Sequence, residues 1–251
     1  MRTFCNLFTI LIFIIIFFSS PFAEASDTVQ KIVRANDFYT KKQYQKAIDL
    51  YESIILKGRQ NGYLYYNLGN AYIRLGKTGP AILNYIRARK WIPQNENLEA
   101  NLRFAIQQTK DKIELPPTST LNTLFFWNND LNQDELIKFS MILNSIFWAL
   151  LALWIHFQSS SLALTRNIFF GLLVLSFLSI GVKIKNQSDL KTGVILAKKV
   201  EVKSGRAADA VTLFQLHEGA LVQIVDSKDN WLRVRLNANQ KGWLQQNTLG
   251  T

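Results

Sequence analysis

The chain has 251 residues and a formal charge of +11, from 29 Lys and Arg against 18 Asp and Glu, with one cysteine and two histidines. Cys5 precedes the N-terminal apolar run, so the rest of the chain has no thiol for a disulfide, a thiolate metal site or a cysteine nucleophile. His156 and His217 have no second plausible ligand near them in sequence, and no spacing suggests paired catalytic carboxylates. The expectation is a non-enzymatic protein with no catalytic residues, metal or cofactor.

Arg2, the apolar run Leu7 to Phe18, Ser19-Ser20-Pro21-Phe22 and Ala23-Glu24-Ala25 predict a secretory signal peptide over 1–25, with an uncleaved anchor as the alternative. Either way the chain that follows is exported. From Ser26 to Glu114 there are 15 Lys and Arg against 8 Asp and Glu, a net of +7. For an exported chain this basic excess points to lipid headgroups, acidic envelope polymers or acidic proteins, not to nucleic acid, unless it is only a solvated helix surface.

Residues 26–114 read as helices: Thr28–Tyr39 and Tyr44–Leu56 around a Lys41-Lys42-Gln43 turn, Tyr63–Leu75 and Pro80–Trp91, then a capping helix over Asn97–Gln108. Ala35, Phe38, Ala47 and Tyr51 recur 34 residues later as Gly69, Tyr72, Ala81 and Tyr85, small on small and aromatic on aromatic. With Leu68, Leu75-Gly76, Ala88 and Pro93, this pattern resembles the tetratricopeptide repeat, in which small residues let paired helices approach and aromatic rings lock them. The resemblance implies two repeats that bind protein partners in a concave groove. Asn36 and Asn70 occupy equivalent positions, and Asn67 and Arg74 share the inner helix with Asn70; these four are the candidate peptide-binding residues, with helix solvation or capping as the alternative role for the asparagines. Asn36 and Asn67 match two positions of the carboxylate clamp found in some repeats of this type. Ile32, Asn97 and Asn101 stand where its basic residues would be.

Pro116 and Pro117 end the helical region and open a linker over 115–135, which contains the aromatic group Leu124-Phe125-Phe126-Trp127. That group suits a membrane–water boundary or a small buried turn. Apolar segments at 136–157 and 167–184 predict a transmembrane hairpin with a serine-rich loop, Gln158 to Arg166. The signal sequence places the segments on both sides of this hairpin outside the cytoplasm. Lys138, Lys183, Lys185 and Lys191 run against the positive-inside bias, but the first segment usually sets orientation. The expected location is a bacterial cytoplasmic membrane, with two spans.

Over 188–251 the period changes to two, with short strands around Val194, Val200, Leu221 to Val225 and Trp231 to Leu236. Val202-Lys203-Ser204-Gly205, a loop, Leu216-His217-Glu218-Gly219, Asn230-Trp231-Leu232-Arg233-Val234 and Lys241-Gly242-Trp243-Leu244 resemble the bacterial SH3 family, which implies a small all-β barrel. Trp243 is expected in the core and His217 in a turn. Trp231 is either buried or a ligand contact. Some members recognise cell-wall peptide or protein segments, so peptidoglycan is an implied partner.

The order of these modules resembles the BatE family of the bacterial aerotolerance operon. That resemblance implies a membrane-anchored envelope scaffold in a stress-related complex with von Willebrand A-domain membrane proteins; wall binding or sensing is the alternative.

Overall fold

The computed structural model describes residues 27–111, 120–189, 192–237 and 239–251. The signal segment and residues 115–119 of the linker, which include Pro116 and Pro117, lie outside them. Helix α1 covers 27–40 and is followed by α2 (Tyr44–Leu56), α3 (Gly62–Arg74), α4 (Thr78–Arg89) and α5 (Glu96–Gln107), each within two residues of its predicted span. The boundaries have local causes. The Asn61 and Asn95 side chains accept the Leu64 and Leu98 N–H groups at 2.8 and 2.9 Å, satisfying amides that have no partner inside the helix. Pro80 falls in the first turn of α4, where a missing N–H removes no helical bond.

Apolar stripes on these helices meet in two clusters, one around Ala35, Ala47, Tyr51 and Leu68, the other around Ala81, Tyr85, Leu98 and Leu102. The small residues set the distance between helices: a Cβ on Gly69 would lie 2.6 Å from the Tyr85 ring. Tyr85 is only 1% exposed.

A short helix α6 (Thr120–Leu124) and a 3₁₀ turn (Phe126–Asn129) lead into α7 (Gln133–Phe157) and α8 (Ser160–Asp189). Asn132 and Glu135 form a capping box that fixes the start of α7. The sequence predicts a loop from Gln158 to Arg166 and a second span that begins at Asn167. In the structure the turn is only Gln158 and Ser159, with Gln158 left-handed at φ 49°, and the helix resumes at Ser160. Hydropathy marks where a helix would leave hydrocarbon, not where its backbone bonds begin, and Thr165 satisfies its hydroxyl on the Ser161 carbonyl at 3.0 Å. Both helices are long and apolar enough to cross a membrane, with mean hydropathy of 1.9 and 2.0. They pack side by side, with Phe147 and Phe170 ring centroids 5.6 Å apart.

The aromatic segment before α7 is fastened to α8 by polar bonds. Trp127 Nε1 donates to Ser179 Oγ and Asn128 Nδ2 to the Ser179 carbonyl, each at 3.0 Å, and Lys183 Nζ donates to the Asn128 carbonyl at 2.6 Å and to that of Leu131. Leu124 and Phe126 remain exposed.

The C-terminal region is a seven-stranded antiparallel sheet: β1 (Thr192–Ile195), β2 (Lys199–Lys203), β3 (Thr212–His217), β4 (Leu221–Lys228), β5 (Trp231–Arg235), β6 (Lys241–Gln245) and β7 (Leu249–Gly250). Its order is β3-β2-β6-β5-β4-β1-β7. Ile195, Val202, Leu216, Val222, Val234 and Leu244 fill the core. Strand β3 replaces part of the predicted loop. It pairs with β2 across a register shift at Val202/Lys203, and of its residues only Leu216 is fully buried, which left little alternation to read.

Trp243 is a second correction. It is half-buried and lies on the outer face, because Leu244 takes the inward position next to it. The guanidinium groups of Arg206 and Arg233 lie 5.4 and 5.9 Å from its ring centroid.

The sheet does not hang free of the helices. Val194 and Leu221 share one apolar cluster with Ile82, Leu83 and Tyr85. Glu218 Oε1 accepts the Gly79 N–H at 3.0 Å, at the start of α4, where a carboxylate also complements the helix dipole. Asp111 accepts the His217 N–H at 2.6 Å and meets its Nδ1 at 3.1 Å. The predicted turn residue His217 thus ends β3 and ties the sheet to the chain just after α5.

Candidate functional site

The candidate groove residues are brought together in pairs. Asn36 Oδ1 accepts from Tyr51 OH at 2.6 Å and from Asn67 Nδ2 at 3.3 Å. Shifted by 34 residues, Asn70 Oδ1 accepts from Tyr85 OH at 2.8 Å and from Asn101 Nδ2 at 2.9 Å. The same trio of side chains therefore occurs twice, and Asn101 of α5 completes the second copy. The amide oxygens are spent inside the chain, while the nitrogens of Asn36 and Asn70 make no further bond among the described residues and remain donors toward solvent. Arg74 stands apart from both trios, exposed, with its Nε donating to Tyr39 OH at 3.4 Å.

Sequence reasoning missed Tyr51, Tyr85 and Asn101 as members of these trios. A signal was present: an Asn to Tyr separation of 15 residues in both copies, and Asn67 and Asn101 at the repeat distance. Burial pushes the Tyr51 hydroxyl up to about 12, and burial also raises Tyr85 and Tyr72, the latter bonded to the Glu52 carboxylate. A folded-state value above the ordinary 10.0 means that the folded array holds these protons longer than the unfolded chain does. Stability from Tyr51 is therefore intact below pH 10 and is lost as pH rises toward 12. Far-UV circular dichroism of the detergent-solubilised chain should show the thermal midpoint falling across that window, and Tyr51→Phe should flatten the decline.

Trp231 begins β5 on the outer face of the sheet and is half-buried. It pairs in register with Lys228 on β4 and Gln245 on β6. Arg233 and Arg235 follow it on the same face, opposite Trp243 and Lys241. The inward neighbours Leu232 and Val234 hold the strand in place.

A third feature had no signal in the sequence. A cleft of about 1230 Å³ opens where the helical array, the base of the hairpin and the sheet meet. Arg89, Lys90 and Lys183 line it together with Glu99 and Asp226. Its chemistry is mixed, since cations and carboxylates both line it. Among the described residues no group of three or more His, Cys, Asp and Glu is arranged to hold a metal ion.

The outer tryptophans, the short antiparallel strands and the turns between them define a small β module over most of the C-terminal region. Residues 204–250 match the bacterial SH3 domain family. No curated protein matches the chain. The match covers β3 to β7, while β1 and β2 precede it and complete the same sheet. In this bacterial SH3 domain β2 adds to one side of the matched strands by pairing with β3 and β6. Strand β1 lies between β4 and β7 and carries the contact to α4.

Proposed function

We propose that the chain is a non-enzymatic scaffold of the bacterial cell envelope, anchored in the cytoplasmic membrane by α7 and α8. The helical array and the bacterial SH3 domain then lie together outside the cytoplasm. The observation that carries this reading is the direct contact between them through Gly79 and Glu218 and through Asp111 and His217. Two regions that touch must share a compartment, and a two-span hairpin between them returns the chain to the side it left. The apolar N-terminal run supplies the direction of export.

In this reading residues 26–114 are tetratricopeptide repeats that bind exported or membrane proteins, and the resemblance to the BatE family makes von Willebrand A-domain membrane proteins the partners to seek, within an aerotolerance or stress-related complex. The recurrence of the Asn–Tyr–Asn trio at a 34-residue offset supports the repeat assignment. Affinity purification of the intact chain from detergent extracts should recover A-domain membrane proteins. Arg74→Glu, which reverses an exposed charge on the inner helix without touching the core, should reduce that recovery by about tenfold, the size expected for one lost charge-assisted bond. Unchanged recovery would remove the groove from the reading, and no stable partner at all would overturn the scaffold itself.

A second reading, wall binding through the SH3 domain, is favoured by the family match and by the outward placement of Trp231.

A further inference from the structure

The outer face of β5 and β6 carries more cationic side chains than the domain's own acids neutralise. Arg206 has a counter-ion, Asp229, at 2.8 Å. Among the described residues Arg233 and Arg235 form no ion pair, although Asp226 stands opposite Arg233 in the β4 register. The Arg206 and Arg233 guanidiniums both lie against Trp243. A flat ring that holds two guanidiniums limits their rotamers and keeps their N–H edges available to an oxyanion. Trp231 continues the row on β5, with no ring or cation contact of its own among the described residues.

The spacing narrows what could bind. Trp231, Arg233 and Arg235 follow one another at i, i+2 and i+4 on a strand, about 6.6 Å apart per step. An extended polypeptide repeats its side chains on one side with the same step, so acidic residues at alternate positions would meet Arg233 and Arg235 in phase while an apolar residue two positions before them covers Trp231. The helical array contacts the sheet at β1, at β7, at His217 and at the Glu218–Gly219 turn; among the described residues Trp231, Arg233, Arg235 and Trp243 make no hydrogen bond, ion pair or ring contact with it.

We propose that this face docks an extended acidic peptide segment of a partner protein, of the pattern apolar-x-acid-x-acid. Arg233 and Arg235 take its carboxylates, and Trp231 takes the apolar side chain. The proposal rests on the scaffold reading and supplies it with a second contact surface, separate from the helical groove.

The test uses the full chain in detergent micelles and a fluorescein-labelled hexapeptide, Leu-Ser-Glu-Ser-Glu-Ser, followed by anisotropy. The peptide should bind with an affinity that falls as salt is raised, because exposed charges are screened. A Lys-for-Glu version should not bind. Arg233→Glu and Arg235→Glu should each weaken binding by about tenfold or more, the size of a lost charge-assisted hydrogen bond. Trp231→Ala should weaken it with the salt dependence unchanged, and Arg235→Lys should retain most of the affinity. An unchanged thermal midpoint separates these effects from misfolding.

Equal binding of the acidic and basic peptides, or full affinity in Arg233→Glu, would overturn the proposal. So would failure to bind the peptide while the chain sediments with purified wall material or with phosphatidylglycerol vesicles through the same arginines. If the double Arg233→Glu, Arg235→Glu chain still binds the hexapeptide at full affinity while partners are recovered by the intact chain, the peptide surface falls and the scaffold reading stands.

Discussion

Tyr85→Ala should unfold the helical array. The ring is buried in the cluster formed by α3, α4 and α5, and its removal leaves a cavity beside Gly69 that the tightly set helices cannot close. Truncating a buried aromatic side chain costs about 3–5 kcal/mol, a large share of the roughly 5–15 kcal/mol that holds a whole domain. Tyr85→Phe separates the two contributions. It keeps the ring and removes one hydrogen bond, while Asn70 Oδ1 still receives Asn101 Nδ2, so about 1 kcal/mol is expected. Thermal melts followed by circular dichroism in detergent should show a small loss for Phe and a collapse of helical signal for Ala. Similar losses for both would assign the stability to the hydrogen bond and not to packing.

The second large effect is expected at Gly219→Val, which should detach the SH3 domain from the helices. Gly219 has φ +88°, a region that a β-branched residue enters only at a cost of about 1–3 kcal/mol. Its Cβ would also lie 2.6 Å from Thr109 Cγ2 and 3.2 Å from Ile82 Cδ1, so the turn would have to move away from α4 and α5. Hydrogen exchange should show faster exchange of the Gly79 and His217 amides, whose acceptors lie across this contact. Gly219→Ala combined with Thr109→Ser tests the cause. Removing the Thr109 methyl relieves the overlap but leaves the backbone strain, so partial recovery of protection is expected. No recovery would place the whole effect in the turn.

The parts of the fold visible in the sequence were those governed by neighbours a few residues apart. The helices of residues 27–107 follow from apolar spacing and from caps such as Asn61 and Asn95, and the inward positions of β5 follow from strict alternation through Leu232 and Val234. Strand β3 was hidden because the register shift in its pairing spoils that alternation and leaves Leu213 exposed. Trp243 was misplaced for a related reason. Residue type suggested burial, but position relative to Leu244 decides the face, and two arginines make the outer position tolerable. The candidate groove was legible as a set of asparagines at the repeat distance; that their oxygens are consumed by Tyr51 and Tyr85 was not, because each bond depends on how neighbouring helices face one another. The Gly79–Glu218 and Asp111–His217 bonds join residues 139 and 106 positions apart, and at Gly219 a turn signal already accounts for the residue without them.

The contact at Glu218 and His217 gives the helices a second route to the sheet besides the chain itself. The array meets the α7–α8 hairpin through Asn132 Nδ2, which donates to the Trp91 carbonyl at 3.0 Å, and the hairpin runs through α8 into a sheet that returns to α4. The path is a circuit closed by non-covalent bonds. The helices and the sheet are therefore joined by more than the order of the chain, and a pull on the array would be felt in the sheet directly as well as through the hairpin.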